Sequence, residues 1–134
     1  MQKSGFGRSA AGWITVGLIG LVTASCAALE TRSPEEVVKQ RAQTRWNALV
    51  QGDVKAAYEY FSPGSRETMP LADFASGIRL GFWKAVTVDK VECGAPDRCD
   101  VASTIEYDHR GMRIKTPHRE TWIRDGTNWW FVRR

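Results

Sequence analysis

The segment "RWNALVQGDVKAAYEYFSPGSR", residues 45–66, organises the folded part of the chain. A helical pattern runs up to Gly52, and a second one starts directly after it at Asp53. Glycine after the last apolar position favours a helix end, and aspartate favours the cap of a new helix. The segment therefore predicts a long helix, a tight turn and a short second helix that ends in an aromatic residue.

Upstream of this segment, the start of the long helix is marked by three residues. Ser33 is expected to be the N-cap, Pro34 the first helical residue and Glu36 the partner that completes a capping box. Apolar residues then recur every three or four positions, which predicts one buried stripe on an amphipathic helix. The members of the stripe are Val38, Ala42, Trp46 and Leu49.

Downstream, the pattern predicts two short helices. The second helix is expected to end at "SPGS", residues 62–65, and a third follows Pro70 in "LADFASGI", residues 71–78. The apolar residues expected on their inner sides are Val54, Ala57, Tyr58, Phe61, Leu71, Phe74 and Ile78.

From about Lys84 the apolar pattern changes to the alternation typical of strands. Four antiparallel strands are predicted, within residues 84–93, 99–108, 112–124 and 128–134. A bulge near Asp89 or Lys90 would bring the valines of the first strand to one face and bend the sheet. Pro117 suggests a bulge or an edge in the third strand. Helices followed by a strongly curved four-stranded antiparallel sheet give an α+β fold.

The three cysteines divide into one near the N-terminus and a pair at the predicted hairpin. Cys93 and Cys99 flank "GAPDR", whose glycine, proline and aspartate favour a turn. We expect a disulfide between them in an oxidising compartment. A zinc site that also uses His109 and His118 is disfavoured, because zinc pairs normally have two to four intervening residues. No cofactor or metal is therefore expected.

Residues 1–25 have the order of an export signal. Lys3 and Arg8 precede a stretch without charge, and small residues lead into Cys26. This resembles a bacterial lipoprotein signal, in which the cysteine is lipidated and becomes the first mature residue. An uncleaved anchor and cleavage by an ordinary signal peptidase are the alternatives. Residues 26–33 are then the lipidated cysteine and a short tether.

The signal predicts a lipid-anchored domain on the periplasmic side of a bacterial membrane. Ala27 lacks the aspartate that resembles an inner-membrane retention signal, so we expect the outer membrane. Removing 25 of the 134 residues leaves 109, enough for one domain, at residues 34–134. Without Lys3 and Arg8 the net charge of +4 falls to +2, which does not favour nucleic acid as a partner.

The helix-"GD"-helix segment and the ending "ETWIRDGTNWWFVRR", residues 120–134, resemble the nuclear transport factor 2-like superfamily. Ketosteroid isomerase and polyketide-cyclase relatives share the fold of that superfamily, and the resemblance implies a cystatin-like, cone-shaped fold for this chain. The resemblance implies a pocket between helices and sheet, which enzymatic members line with acids, tyrosine or histidine. The corresponding candidates are Tyr58, Glu106, His118 and Glu120. The family's catalytic motifs do not match here residue for residue, so the resemblance assigns no catalytic residue.

The closing strand carries candidates for partner binding. Trp129 and Trp130 must point to opposite faces of a strand, and Arg133 lies close by. Tryptophan and arginine are enriched at interface hot spots. An outward tryptophan could meet an envelope protein or a second copy of the chain, whereas core filling would explain both tryptophans without a partner.

Three functions remain open from the sequence. The first is a non-enzymatic, membrane-tethered domain that binds a partner protein or a small apolar ligand, by analogy with assembly domains of type IV secretion systems. The second is a small isomerase, dehydratase or cyclase that uses Glu120 or Glu106 with a pKa raised by burial. The third is a structural lipoprotein whose basic C-terminal sheet, residues 107–134, meets anionic lipid or peptidoglycan.

Overall fold

Helix α1, Pro34–Gln51, begins at the predicted capping box. In the computed structural model, which describes residues 32–133, the Ser33 hydroxyl accepts from the backbone N–H of Glu36, and the Glu36 carboxylate accepts from the N–H of Ser33. The helix ends at Gly52, whose φ of 83° lies in the left-handed region that favours glycine. Both predicted ends of α1 are confirmed.

Three short helices follow, where the sequence predicted two. They are α2, Val54–Tyr58; α3, Pro63–Thr68; and α4, Leu71–Ser76. The expectation that residues 62–65 only stop a helix is wrong, because the Ser62 hydroxyl caps α3 by accepting from the N–H of Ser65. Ser62 and Pro63 repeat the serine–proline helix start that Ser33 and Pro34 show.

The sheet consists of four antiparallel strands in the order of the sequence, β1-β2-β3-β4. They are β1, Trp83–Ala95; β2, Arg98–His109; β3, Met112–Asp125; and β4, Asn128–Val132. The helices pack on this sheet, which confirms the α+β class. The face that α1 covers is called the inner face below.

The predicted bulge in β1 is confirmed at Asp89. Pairing with β2 shifts between Val88 and Lys90, so Val86, Val88 and Val91 all oppose inner-face residues of β2. Pro117 causes no shift, since β2 and β3 stay in register from end to end. Pro117 instead lies on a part of β3 that forms an edge of the sheet, because β4 pairs with β3 only from Thr121 onward.

The free edge of β1 is held to α1 by one side chain. The Gln43 amide donates to the Val86 carbonyl at 2.8 Å, and its oxygen accepts from the N–H of Val88 at 2.9 Å. These bonds satisfy backbone groups that an edge strand would otherwise leave to solvent. Gln43 therefore fixes the distance between α1 and the sheet.

The predicted disulfide is present between Cys93 and Cys99. It closes the β1–β2 hairpin where the strand pairing is irregular, between Glu92 and Ala95. Cys99 is fully buried on the inner face opposite Trp122.

The predicted signal, residues 1–25, and the predicted lipidation residue, Cys26, lie outside the described residues. Within residues 32–133, no helix is long and apolar enough to cross a membrane.

Candidate functional site

A buried ion pair joins the middle of α1 to β3. The Arg45 guanidinium donates through Nη1 to Glu120 Oε2 at 3.1 Å, and only 5% and 2% of the two side chains are exposed. A buried charge is costly unless an opposite charge accompanies it. Arg45 and Glu120 therefore depend on each other, and they fix α1 above β3.

Further contacts orient both charges. The second Glu120 oxygen accepts from Trp122 Nε1 at 3.2 Å, and the Arg45 guanidinium carbon lies 3.7 Å from the centre of the Phe131 ring. Burial lowers the pKa of Arg45, and the charge of Glu120 opposes that shift. Arginine nevertheless stays protonated in proteins, so this is an ion pair on an aromatic support.

Aromatic rings extend the site along the inner face. The Trp46 ring meets Trp83 edge-on at 5.7 Å and His118 edge-on at 5.3 Å. These residues line a concave surface between the helices and the sheet. We define the inner site as Arg45, Trp46, Trp83, His118, Glu120 and Phe131.

The residues of the inner site come from one helix and three strands. These elements are α1, β1, β3 and β4. His118 and Glu120 share the inner face with Trp122 because pairing through Pro117 is unbroken. The lining of the concave surface also includes Asp100 and Thr121, which are hydrogen-bonded to each other.

Two buried N–H groups of the inner site have no hydrogen-bond partner among the described residues. They are Arg45 Nε and Trp46 Nε1, and both residues are 4% exposed. The buried Ser103 hydroxyl, on the strand position opposite His118, is in the same state. Leaving a buried donor unpaired costs about 1–3 kcal/mol, and a bound molecule or an ordered water is one way to supply the missing partner.

Glu106, the other candidate carboxylate, lies on the outer face of β2. It forms ion pairs with Lys115 at 3.0 Å and with Arg113 at 3.6 Å. The Lys115 hydrogen bond, more than any other effect, lowers the pKa of Glu106. The hypothesis that burial raises the pKa of Glu106 is therefore wrong: cationic neighbours stabilise its charged form.

Tyr58 lies in the core beside the inner site. Its hydroxyl donates to the Met69 carbonyl at 2.8 Å, and its ring packs against Phe61 and Phe74. These contacts fasten α2 to the segment before α4. Tyr58 is not among the residues that line the concave surface.

The partner-binding candidates lie at β4. Trp129 is buried, and Trp130 is half-buried beside the guanidinium groups of Arg41 and Arg66, at 5.7 and 5.4 Å from its ring centre. Arg133 donates to the sulfur of Met69. These contacts hold β4 against α1 and the short helices.

Arg45 is the site residue that the sequence pattern did not single out. It lies three positions after Ala42 and four before Leu49, so it occupies the apolar stripe of α1. A charge on a buried stripe signals a hidden partner, because an unpaired buried charge is so costly. Glu120 and His118 were predicted as pocket candidates, and the structure places both in the inner site.

Acid–base catalysis would need a tyrosine or histidine as proton donor within hydrogen-bond distance of the pocket carboxylate. Among the described residues, Glu120 instead accepts hydrogen bonds from Arg45 and Trp122. The same part of the chain holds no group of three or more histidine, cysteine or acidic side chains that could bind a metal ion. What the inner site offers is an aromatic surface, a balanced ion pair and unpaired N–H donors.

Two solved structures of similar fold are SEC-C motif containing proteins. The one from Psychrobacter arcticus has a TM-score of 0.62 and 11% identity over 78% of this chain. The one from Rhodopseudomonas palustris has a TM-score of 0.56 and 14% identity, covering 69% of this chain and 73% of its own. The present chain spans 63% of the length of the Psychrobacter protein. No protein-family model matches the chain, and no curated protein matches it.

These comparisons correct the family expected from the sequence. The resemblance to the nuclear transport factor 2-like superfamily is wrong, because the similar solved structures are SEC-C motif containing proteins, a different fold family. The resemblance rested on the order of helices and strands and on two short segments, residues 45–66 and 120–134, and more than one family can share such an order. At these identities the likeness concerns the fold, which does not determine function.

Proposed function

We propose that this chain is a membrane-tethered lipoprotein whose domain, residues 34–134, binds a small, largely apolar ligand in the inner site without catalysis. The observation that carries the proposal is the inner site itself, a concave surface with aromatic walls around a balanced ion pair. Small-molecule sites typically combine apolar walls with a few fixed polar groups.

The rings supply the binding surface. Trp46, Trp83 and Phe131 bring aromatic area from three different elements to one concavity. The contacts of Trp46 with Trp83 and of Arg45 with Phe131 hold these rings in place. A rigid surface loses little conformational entropy when a ligand binds, which favours affinity.

The hydrogen bonds of Glu120 favour ligand binding over catalysis as the function of the inner site. The two Glu120 oxygens accept from Arg45 and from Trp122, so both are engaged in holding the structure. A general base must instead reach a substrate proton. The isomerase, dehydratase or cyclase hypothesis would require Glu120 to leave Arg45 uncompensated in the interior.

The proposal includes a strongly curved, cone-like sheet around the inner site. Register shifts in β1 between Val88 and Lys90 and between Glu92 and Ala95 support this curvature, since bulges bend strands. Curvature would deepen the concavity beneath α1 and enclose more of a ligand.

The membrane attachment rests on the signal-like residues 1–25 and on Cys26. A tether of residues 26–33 reaches on the order of 25 Å when extended, so the domain would stay close to its membrane on the periplasmic side. Metabolic labelling with palmitate tests this attachment. We expect label on the wild-type chain and none on a Cys26→Ala variant, whereas equal labelling of both would contradict it.

Ligand binding is tested by native mass spectrometry of the full chain carrying Cys26→Ser, compared with the same sample after denaturation. We expect extra mass in the native spectrum alone. Trp83→Ala should remove this mass because it opens the aromatic wall, and the matched control Trp130→Ala, outside the inner site, should retain it. A bare monomer would contradict the proposal, and a dimer without added mass would favour a second copy as partner.

A further inference from the structure

The two unpaired donors of the inner site are neighbours on α1. Arg45 Nε and Trp46 Nε1 belong to consecutive residues, and the Arg45 guanidinium carbon lies 5.3 Å from the centre of the Trp46 ring. Both residues line the concave surface, and both are more than nine-tenths buried. The two donors therefore belong to neighbouring residues of α1 that line the same concave surface.

Both groups donate, so the ligand must supply an acceptor. An arginine Nε and an indole nitrogen each carry one hydrogen and accept nothing. A carbonyl oxygen has two lone pairs and can accept from two donors. Pairing the donors would remove the cost of leaving them buried and unsatisfied.

The charge of the site selects a neutral ligand. Arg45 and Glu120 balance each other, and side-chain exposures of 5% and 2% remove both from solvent. An anionic ligand would compete with Glu120 for Arg45 and would leave one negative charge uncompensated in the interior. A neutral acceptor can use Arg45 Nε while Nη1 keeps its bond to Glu120.

We propose that the inner site binds a neutral apolar molecule through a carbonyl oxygen, which accepts from Arg45 Nε–H and Trp46 Nε1–H. The inference rests on the proposed ligand binding and specifies the ligand's chemistry. Ketones, esters and amides share this group. The apolar remainder of the molecule lies against Trp83 and Phe131.

Fluorescent probes that differ in one group test the inference. Prodan is a neutral naphthalene with a ketone, and a dimethylaminonaphthalene without the propionyl group is its carbonyl-free counterpart. Anilinonaphthalene sulfonate supplies a comparable apolar surface with a negative charge. With the full chain carrying Cys26→Ser, we expect prodan to bind about fivefold or more tightly than either of the others.

Trp46→Phe removes one donor and keeps an aromatic ring. We expect it to weaken prodan binding about fivefold and to leave the carbonyl-free probe unchanged. Trp129→Phe is the matched control, since Trp129 is buried but does not line the concavity, and it should change neither affinity. Equal weakening of both probes by Trp46→Phe would overturn the inference, because it would reflect lost ring contact.

Nuclear magnetic resonance gives a readout that does not depend on a variant. On saturation with prodan, the indole N–H signal of Trp46 should move downfield while that of Trp129 stays in place. An unmoved Trp46 signal would overturn the inference and leave an ordered water as the partner of the donor.

The two proposals can fail separately. If both neutral probes bind with equal affinity and Trp83→Ala weakens both, the carbonyl inference is wrong and apolar ligand binding stands. If no probe binds, the proposed function is wrong and the inference is wrong with it.

Discussion

Glu120 on β3 and Glu106 on β2 are both glutamates paired with cations, yet their surroundings are opposite. The Glu120 side chain is 2% exposed and meets Arg45, while that of Glu106 is 21% exposed and meets Lys115 and Arg113. The first lies beneath α1 on the inner face and the second on the outer face. Successive residues of a strand point to opposite faces of the sheet. This alternation places Glu120 on the inner face and Glu106 on the outer face.

The difference shows how one residue type takes two roles. The pair of Glu120 is desolvated, so breaking it leaves a charge that water cannot solvate. The pairs of Glu106 border solvent, which screens them and replaces a lost partner at little cost. Glu120 is therefore expected to govern both stability and the binding site, and Glu106 to affect neither strongly.

The largest effect is expected from Glu120→Gln. The amide retains the size of the side chain but leaves the Arg45 charge buried without compensation. We expect the free energy of unfolding to fall by about 3 kcal/mol or more. The measurement is urea unfolding followed by tryptophan fluorescence, compared with wild type at neutral pH.

Glu59→Gln is the matched control for this change. Glu59 pairs with Arg66 at 3.5 Å, but 59% and 31% of the two side chains are exposed, so we expect a loss of at most about 1 kcal/mol. Equal losses in the two variants would contradict the contrast between buried and exposed pairs. A double variant, Arg45→Met with Glu120→Met, should recover most of the stability lost in Glu120→Gln, because no buried charge remains.

A smaller effect is expected from removing the Cys93–Cys99 disulfide. Cys99 is buried opposite Trp122, whose indole orients Glu120, so the crosslink supports the inner face. Replacing both cysteines with alanine should lower the free energy of unfolding by about 2 kcal/mol, since the unfolded chain regains a small loop. Dithiothreitol should have a similar effect on wild type and none on the variant. Unchanged urea midpoints in reduced wild type would refute this role.

The helix ends and the bulge could be predicted because local chemistry determines them. Ser33 and Glu36 satisfy each other's backbone groups within one turn, and Gly52 supplies the left-handed residue that ends α1. The bulge at Asp89 followed from the strand pattern, since the valines of β1 could share one face only with an extra residue. The same local logic missed α3, because Ser62 and Pro63 were interpreted as a helix stop.

The inner site could be predicted only in part, because its pairing is between distant residues. His118 and Glu120 were recognised from alternation on β3, but their parity depended on an unbroken register through Pro117. Arg45 is 75 residues from its partner, and no local pattern names Glu120 rather than Glu106. Which carboxylate is buried follows from the way α1 lies across the sheet, which is set by tertiary packing.

The smallest effect in this comparison is expected from Glu106→Gln, and it should depend on pH. Hydrogen bonding and attraction by Lys115 and Arg113 hold the pKa of Glu106 below its ordinary value in the folded state. A carboxyl group with a lowered folded-state pKa contributes stability above its unfolded-state pKa and loses it as the pH falls through the folded-state pKa. At neutral pH the variant should therefore unfold at a slightly lower urea concentration than wild type. The two midpoints should converge on acidification, and added salt should reduce the difference at neutral pH because these charges border solvent. A difference that persists after the carboxyl group is protonated would mean that Glu106 acts through packing, and the contrast with Glu120 would then not be one of charge.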